Sequence, residues 1–349
     1  MRKNLFIFNF KDFPTGFLIA ILLLVGAEVL ARAHSSLFIP LADQLMLYKK
    51  DHMMQPQKPY ANAVIIGDSR GMGLDARLIS GQLSKELQRP FQVYNYTVPG
   101  FGVQGYFLFL EKYLKYNRKP ETIFLCTRPL MLTGDDFLGK KANYSHKHRF
   151  FAFFSMEEYR KVVSPGFFWT SLPLALRERS ILITYRASIK AVLVRVLLGQ
   201  YKPPKADQEA LIESMNGGYP LEGVRLVGDK DIQQSLAGQE GFKLDQDALY
   251  WYEKFLQLAQ NNGVPVVVFN LPFIVDVFAK GQRDGSNDRY RALMRAIKKH
   301  YAHLRLVEPL LESYDRKYYA DVDHLNVAGN NLAMRGLPQR LAQVLLENK

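Results

Sequence analysis

The feature that most constrains the fold is a regular alternation of short apolar segments with longer amphipathic ones. The short apolar segments lie at Ala63 to Ile66, Phe91 to Thr97 and Thr122 to Cys126. The amphipathic segments lie between them, at Leu74 to Leu87 and Gln104 to Tyr116. Short apolar runs bounded by turn residues are typical of buried strands, and apolar residues three and four apart are typical of helices. The pattern predicts right-handed crossovers and a parallel sheet.

The same alternation returns in the last third of the chain, after a long interruption. Its predicted elements are a helix, a strand, a second helix, a second strand and a closing helix, at Ala248 to Asn261, Val264 to Phe269, Asn287 to Tyr301, Leu304 to Val307 and Val327 to Glu347. Together the two runs predict one α/β domain over residues 61–349. Its sheet is expected to be flavodoxin-like and parallel, the middle of three layers.

Residues from about 135 to 245 interrupt the alternation, and we predict a mostly helical insertion there. The segment from Phe137 to Lys205 holds 13 Lys and Arg against 3 Asp and Glu, in a chain with a net charge of +13. A local basic excess indicates an anionic partner such as phospholipid headgroups, an acidic polysaccharide or nucleic acid. The chain has no zinc-finger spacing and no arginine-rich tract, so nucleic acid is not expected as a partner.

One helix of this insertion is predicted at Arg179 to Leu198. At 3.6 residues per turn, Arg179, Arg186 and Lys190 fall within about 40° of one another. Arg195 lies on the opposite side. This pattern indicates a helix on a membrane surface or against the helices of a partner. It is equally compatible with a core helix of the insertion that has a solvated basic edge.

The amino terminus carries a targeting pattern. Basic residues precede an apolar stretch from Phe13 to Ala33, about the 20 residues that a membrane-spanning helix needs. Glu28, near its far end, raises the cost of burying the helix in lipid. We predict an uncleaved anchor at residues 1–33, a stalk at 34–60 and an exported domain after them. A cleaved signal peptide is the alternative, because Ala31-Arg32-Ala33 has the small-x-small pattern of a cleavage site.

The sequence offers no disulfide pair and no convincing metal-binding motif. Cys126 is the single cysteine, so it cannot form an intramolecular disulfide and it does not fix the compartment. The run His146-Lys147-His148-Arg149 has no carboxylate or cysteine beside it and is interpreted as a solvated basic face. We expect neither a metal nor a cofactor.

Two polar motifs follow predicted strands at opposite ends of the alternating pattern. Gly67-Asp68-Ser69-Arg70 follows the first strand, and Asp321-Val322-Asp323-His324 lies after the last one. Both loops fall at the carboxyl edge of a doubly wound sheet, where such sheets bind their ligands. Taken alone, Asp68 or Ser69 is equally well explained as the cap of a following helix.

Together the two motifs are typical of nucleophilic catalysis. A serine hydroxyl needs a base to remove its proton, and a histidine serves as that base when a carboxylate holds its second nitrogen. Asp321 lies three residues before His324, whereas Asp323 is expected to point away or to cap the closing helix. Gly100, after the second strand, is a candidate to present its amide to an oxyanion. Arg70 is expected to bind an anionic substrate or, by preference, to pair with a carboxylate.

These motifs resemble those of the SGNH, or GDSL, hydrolases and acyltransferases. The similar features are Gly-Asp-Ser after a first strand, a glycine loop after the second and a late Asp-x-x-His. The resemblance covers roughly residues 60–133 and 248–348 and leaves the insertion uncovered. It implies that Ser69 is the nucleophile, His324 the base and Asp321 its orienting acid. It also implies that the amides of Ser69 and Gly100 contribute to the oxyanion hole.

The third motif of that family is absent from this chain. The family usually has Gly-x-Asn-Asp after the third strand, and its asparagine completes the oxyanion hole, whereas this chain has Thr127-Arg128-Pro129. Three candidates replace that donor. Thr127 or Arg128 takes its place, or Asn270 reaches in from the fourth strand, and the sequence leaves the choice open.

This departure resembles one branch of the superfamily, the membrane-anchored proteins that O-acetylate alginate or D-alanylate teichoic acid. These proteins combine an amino-terminal anchor with a degenerate third motif, and several act beside a membrane-bound O-acyltransferase. The resemblance implies a single-pass protein of the bacterial inner membrane with a periplasmic domain. It implies a serine acyltransferase or esterase whose partners are an acyl donor and an envelope glycan, and whose acyl group is small, acetyl by preference. The alternatives are a membrane-associated lipase or lysophospholipase, and a catalytically lapsed glycan-binding assembly subunit.

Overall fold

The computed structural model describes residues 13–33, 41–55, 60–133, 153–162, 180–184, 186–198, 214–215, 217–218, 227–238 and 241–347. The basic run at 146–149 lies outside these ranges, as do residues 34–40 and 56–59 of the predicted stalk and most of the predicted insertion.

Strands of the described chain are β1 (Ala63–Gly67), β2 (Val93–Asn95), β3 (Thr122–Cys126), β4 (Val266–Phe269), β5 (Phe273–Ile274), β6 (Leu304–Leu306) and β7 (Ser313–Tyr314). Five of them form a parallel sheet in the order β2-β1-β3-β4-β6, and β5 pairs with β7 in a small parallel sheet. The predicted α/β fold with a parallel sheet is confirmed, and flavodoxin-like folds share this strand order. Because Gly67 pairs with Cys126 and Cys126 with Phe269, β1, β3 and β4 end side by side.

Helices of the described chain are α1 (Phe13–Ala33), α2 (Leu41–Met54), α3 (Ala76–Glu86), α4 (Val103–Tyr116), α5 (Met156–Val162), α6 (Ile181–Thr184), α7 (Arg186–Leu197), α8 (Asp229–Gly238), α9 (Gln246–Asn261), α10 (Val275–Arg283), α11 (Ser286–His300), α12 (Val327–Met334) and α13 (Leu337–Leu346). Short 3-10 turns lie at Ser69–Gly73, Pro129–Leu132 and Arg316–Tyr318.

Helices cover both faces of the central sheet. Alternate side chains of a strand point to opposite faces, so Val64 and Ile66 pack with α4, α9 and α11. Ala63 and Ile65 pack on the other face with α3 and α13. This burial on both sides explains why the strands are continuous apolar runs in the sequence.

Helix α1 is long and apolar enough to cross a membrane, and no other helix of the described residues is. Its large apolar side chains are exposed along most of its length. Length and composition are compatible with a membrane anchor and also with a signal sequence, so the helix itself does not separate the two predictions.

Some predicted boundaries differ from the structure. The predicted closing helix is two helices, α12 and α13, which meet at Gly336 with Pro338 in the first turn of α13. Proline has no amide hydrogen, which makes it compatible with a helix start and not with a helix interior. The predicted helix at 179–198 consists of α6 and α7. Helix α10 was not predicted from the sequence.

Candidate active site

The two sequence motifs meet at the carboxyl edge of the sheet. The Ser69 hydroxyl oxygen lies 2.7 Å from Nε2 of His324. Nδ1 of His324 lies 2.9 and 2.8 Å from the two carboxylate oxygens of Asp321. With Nδ1 protonated, His324 donates to the carboxylate, and Nε2 accepts from the serine hydroxyl. The structure thus brings the three predicted residues into one relay, although Ser69 and His324 are 255 positions apart.

Gly67 and Gly71, on either side of Ser69, are packed too closely against neighbouring strands and loops to accept a side chain. A Cβ atom on Gly67 would lie 2.5 Å from the carbonyl oxygen of Cys126 in β3, and one on Gly71 would lie 2.6 Å from Cγ2 of Thr97. Asp68 accepts a hydrogen bond from the Arg70 amide and so caps the 3-10 turn. Close packing, together with this cap, fixes the hydroxyl at the end of β1.

His324 and Asp321 belong to one tight loop ahead of α12. One carboxylate oxygen of Asp321 accepts hydrogen bonds from the amides of Asp323 and His324, each 2.8 Å long. Asn326 caps α12 with its own side chain. The Asp321 carboxylate therefore orders the loop backbone as well as orienting the imidazole ring.

Arg128 bridges the two motifs. Its Nε lies 3.0 Å from a carboxylate oxygen of Asp68, and its Nη1 lies 3.1 Å from one of Asp323. Asp323 does not cap the closing helix, because Asn326 is the cap. Its carboxylate is directed to Arg128, while Asp321 holds the His324 ring, which agrees with the expectation that Asp323 points away. Arg128 therefore fixes the histidine loop (residues 321–324) against the nucleophile turn (residues 68–73), which contains the predicted nucleophile Ser69.

Arg70 is buried beneath the same loop. Its guanidinium donates hydrogen bonds to the carbonyl oxygens of Asp323, Leu271 and Pro272, and it stacks 4.3 Å from the ring centroid of Phe273. The predicted pairing with a carboxylate is wrong, because these carbonyls and the ring take up the charge. Only 5% of Arg70 is exposed, which leaves it unavailable to an anionic substrate.

The surrounding charges keep the acids of the site ionised. Burial by itself raises the pKa of Asp321, but hydrogen bonds and charge from His324 and from the loop amides more than offset it, so the pKa lies below its usual value. For Asp323, burial is likewise outweighed by the positive charge of Arg128, and its pKa is also lowered. Burial opposes the charge of Arg128, but the two carboxylates that it bridges raise its pKa.

The three side chains considered as oxyanion donors are engaged or buried. Within the described chain the Thr127 hydroxyl is fully buried without a hydrogen-bond partner, so it is hidden from a substrate. Arg128 is held by its two carboxylates. The side-chain amide of Asn270 lies 3.4 Å from the hydroxyl of Tyr290 in α11. Among the described contacts, none links any of these three side chains to the Ser69 hydroxyl.

The other two candidate oxyanion donors are the backbone amides of Ser69 and Gly100, and both lie in turns. Ser69 begins a 3-10 turn, and the first amides of a helical turn have no internal acceptor. Gly100 has a φ of 76° in the turn after β2, a left-handed conformation that glycine adopts without strain. The amides of Ser69 and Gly100 therefore remain the predicted oxyanion donors.

A buried asparagine that the sequence reasoning missed joins these two loops. The Asn95 side chain donates to the carbonyl oxygens of Gly71 and Leu74 and accepts from the amide and hydroxyl of Thr97. It thus fastens the loop that leads to Gly100 onto the nucleophile turn. The only sequence signal for this role is a polar residue at the end of an apolar strand.

Two cavities lie near the loop that contains Asp321 and Asp323. One of about 320 Å³ lies beside Asp321, with Val227 and Gln234 of the neighbouring segment in its wall. The other, of about 110 Å³, lies beside Arg128 and Asp323, and its wall includes the apolar side chains of Leu130, Phe242, Phe273, Val277 and Phe278. Ser69 is not in the wall of either cavity. The first cavity therefore adjoins the relay only at Asp321, and the second adjoins the Arg128 bridge.

A scan against protein-family models finds no matching family, and a search of curated proteins finds no similar sequence. Over the described residues, no group of three His, Cys, Asp or Glu side chains is arranged to hold a metal ion. A functional assignment therefore depends on the geometry of the site.

Proposed function

We propose that this protein is a membrane-anchored serine acyltransferase or esterase of the SGNH type, which transfers a small acyl group, acetyl by preference, on a cell-envelope glycan. The observation that carries the proposal is the hydrogen-bonded relay of Ser69, His324 and Asp321. A lapsed binding module has no need to preserve this relay, so its geometry favours an enzyme.

In the proposed reaction, His324 takes the Ser69 proton while the hydroxyl oxygen attacks the carbonyl carbon of an acyl donor. Asp321 accepts a hydrogen bond from Nδ1 and stabilises the imidazolium that forms. The amides of Ser69 and Gly100 donate to the oxyanion of the tetrahedral intermediate. As the intermediate collapses, the bond to the leaving group breaks, His324 protonates that group, and the acyl group remains on Ser69.

In the second half of the reaction, His324 removes a proton from an acceptor hydroxyl, which attacks the acyl-serine ester. The serine oxygen leaves and recovers its proton from the imidazolium. A sugar hydroxyl as acceptor gives transfer, and water as acceptor gives hydrolysis. The same relay serves both outcomes, because they differ in acceptor binding and in the exclusion of water. A membrane-bound O-acyltransferase is the proposed source of the acyl group.

Hydrolysis of a chromogenic acetyl ester by the full-length protein in detergent tests the nucleophile. Ser69→Ala should lower kcat/KM by about 10³ or more, because no other group in the relay can form the acyl intermediate. Ser155→Ala, which changes an exposed serine, is the matched control and should retain activity. Acetyl release that survives Ser69→Ala would refute the assignment.

A series of esters with increasing acyl length separates the proposed enzyme from a lipase. We expect the rate to fall as the chain grows from acetyl to octanoyl and longer. A rate that rises with chain length would instead favour a lipase or lysophospholipase. No activity on any ester, together with an unchanged cellular phenotype of His324→Ala, would favour a glycan-binding subunit.

A further inference from the structure

Glu28 of α1 has partners from the distant insertion. One of its carboxylate oxygens accepts hydrogen bonds from the Ser180 hydroxyl, at 2.9 Å, and from the Leu182 amide, at 3.2 Å. The other oxygen pairs with Arg32, one turn further along α1, at 2.7 Å. The charge that makes α1 costly to place in lipid is therefore neutralised and hydrogen-bonded by protein groups.

These contacts fix the level at which the insertion meets α1. Glu28 precedes the end of α1 at Ala33 by five residues, which corresponds to about 7.5 Å along the helix axis. The large apolar side chains of α1 on either side of this level, among them Leu23 and Leu30, are exposed. Helix α6 thus begins beside a stretch of α1 that needs an apolar environment.

Helix α7, which follows α6, exposes apolar side chains over its last two turns. Leu193, Val194, Val196, Leu197 and Leu198 are all exposed, and Leu197 is 85% exposed. A core helix of the insertion would bury these residues, so that interpretation of the segment is wrong. Elsewhere in the described chain outside α1, exposed large apolar residues such as Leu78 and Tyr250 occur singly, which is normal for a protein surface.

The charges of this segment all have one sign. Between positions 180 and 198 the chain contains Arg186, Lys190 and Arg195 and no acidic residue. Lys190 and Arg195 are exposed. An apolar helix end next to basic residues is typical of a helix that lies in the interface of a membrane with anionic lipids.

We infer that α6 and α7 form a second membrane contact beside α1, with the last two turns of α7 among lipid acyl chains and the basic residues at anionic headgroups. The occupant of the exposed surface is the lipid bilayer, because α7 combines exposed apolar side chains with basic ones and directly follows α6, which is bound at its start to Glu28 of the apolar helix α1. The inference rests on the membrane anchor in the proposed function and is independent of the catalytic chemistry. The contact would hold the catalytic domain close to the membrane from which its acyl donor comes.

Site-directed fluorescence in lipid nanodiscs tests this inference on the full-length protein. The native thiol of Cys126 is buried, and burial, followed by the charge of Asp68, raises its pKa, so an added cysteine can be labelled selectively. A polarity-sensitive probe is attached at Leu197→Cys, at Leu23→Cys in α1 and at Leu78→Cys in α3. Leu78 is the matched control, because it is an exposed helical leucine at 55% exposure on the catalytic domain.

We expect the probe at position 197 to be quenched by bromolipid and to be several-fold less accessible to aqueous iodide than the probe at position 78. If position 197 behaves like position 78, the inference is wrong. Shielding of position 197 from both quenchers would also overturn it, because a protein surface rather than lipid would then cover α7.

The probe at position 23 separates this inference from the membrane anchor. Quenching by bromolipid at position 23 but not at position 197 refutes the second contact and leaves the anchor intact. No quenching at position 23 refutes the anchor and the inference together, while the ester assay still reports on the active site. In discs of zwitterionic lipid, quenching at position 197 should be weaker than in anionic discs, and equal quenching would exclude the role of anionic headgroups.

Discussion

At the scale of single residues, Arg128 connects the two loops that hold Ser69 and His324 of the relay. Its guanidinium joins Asp68 of the nucleophile turn to Asp323 of the histidine loop, at 3.0 and 3.1 Å. A planar guanidinium can engage two carboxylates at once, whereas a lysine ammonium is a single point charge. We therefore expect Arg128 to influence the proposed reaction through the position of His324.

Arg128→Lys should lower kcat for the acetyl ester by about 10- to 100-fold with a smaller change in KM, because a misplaced relay slows chemistry more than binding. Steady-state kinetics of the full-length protein measure this, with Arg335→Lys on the exposed surface as control. An unchanged kcat would show that the bridge does not position the relay.

At the scale of elements, the contact between β1 and β3 determines where the nucleophile turn begins. Gly67 faces the backbone of Cys126, and a Cβ atom added to this glycine would lie 2.5 Å from the carbonyl oxygen. The atom in the way is backbone, so it cannot move aside as a flexible side chain would. The ends of the two strands must separate if a larger residue replaces Gly67.

Gly67→Ala should lower the free energy of unfolding by about 1 to 3 kcal/mol, the usual cost of overpacking a core. Gly81 in α3 has no atom within 4 Å of its added Cβ, so Gly81→Ala is the matched control. It should stabilise the protein by about 0.5 to 1 kcal/mol, since alanine is the better helix former. Denaturant unfolding in detergent compares the two, and equal effects would contradict the packing argument.

At the scale of the whole molecule, Lys49 of α2 is a basic residue buried against the α/β domain. Lys49 is fully buried, and its ammonium donates a hydrogen bond of 2.7 Å to the carbonyl oxygen of Thr97. No carboxylate pairs with it among the described residues, and burial lowers its pKa to about 7. Its acceptor lies in the loop that leads from Asn95 to Gly100, so α2 is tied to the predicted oxyanion loop.

The contribution of Lys49 to the stability of the folded protein should grow as the pH rises from about 7 towards 10. In this window the unfolded chain keeps the Lys49 proton and the folded chain has lost it, so this residue contributes up to about 1.4 kcal/mol per pH unit. Lys49→Met should be more stable than the parent at pH 7 and below, and its advantage should shrink with rising pH. Unfolding free energies across this range check the prediction, and parallel pH profiles for the two proteins would contradict it.

The alternation of apolar runs with amphipathic segments determined the fold class, because the periods of a strand and a helix are local properties of a sequence. The relay could also be predicted, since a doubly wound sheet brings the ends of its strands to one edge. Ser69, Asp321 and His324 are therefore identifiable from the sequence alone.

Only the tertiary structure decided which partners the other polar residues have. The roles of Arg128, Asp323, Arg70 and Asn95 depend on contacts between loops that are far apart in sequence, and a residue type alone does not specify such a contact. The exposure of α7 and the contact of Glu28 with the start of α6 depend in the same way on how distant segments pack. Periodicity reports on the nearest turns of the chain, whereas burial and charge pairing belong to the assembled fold.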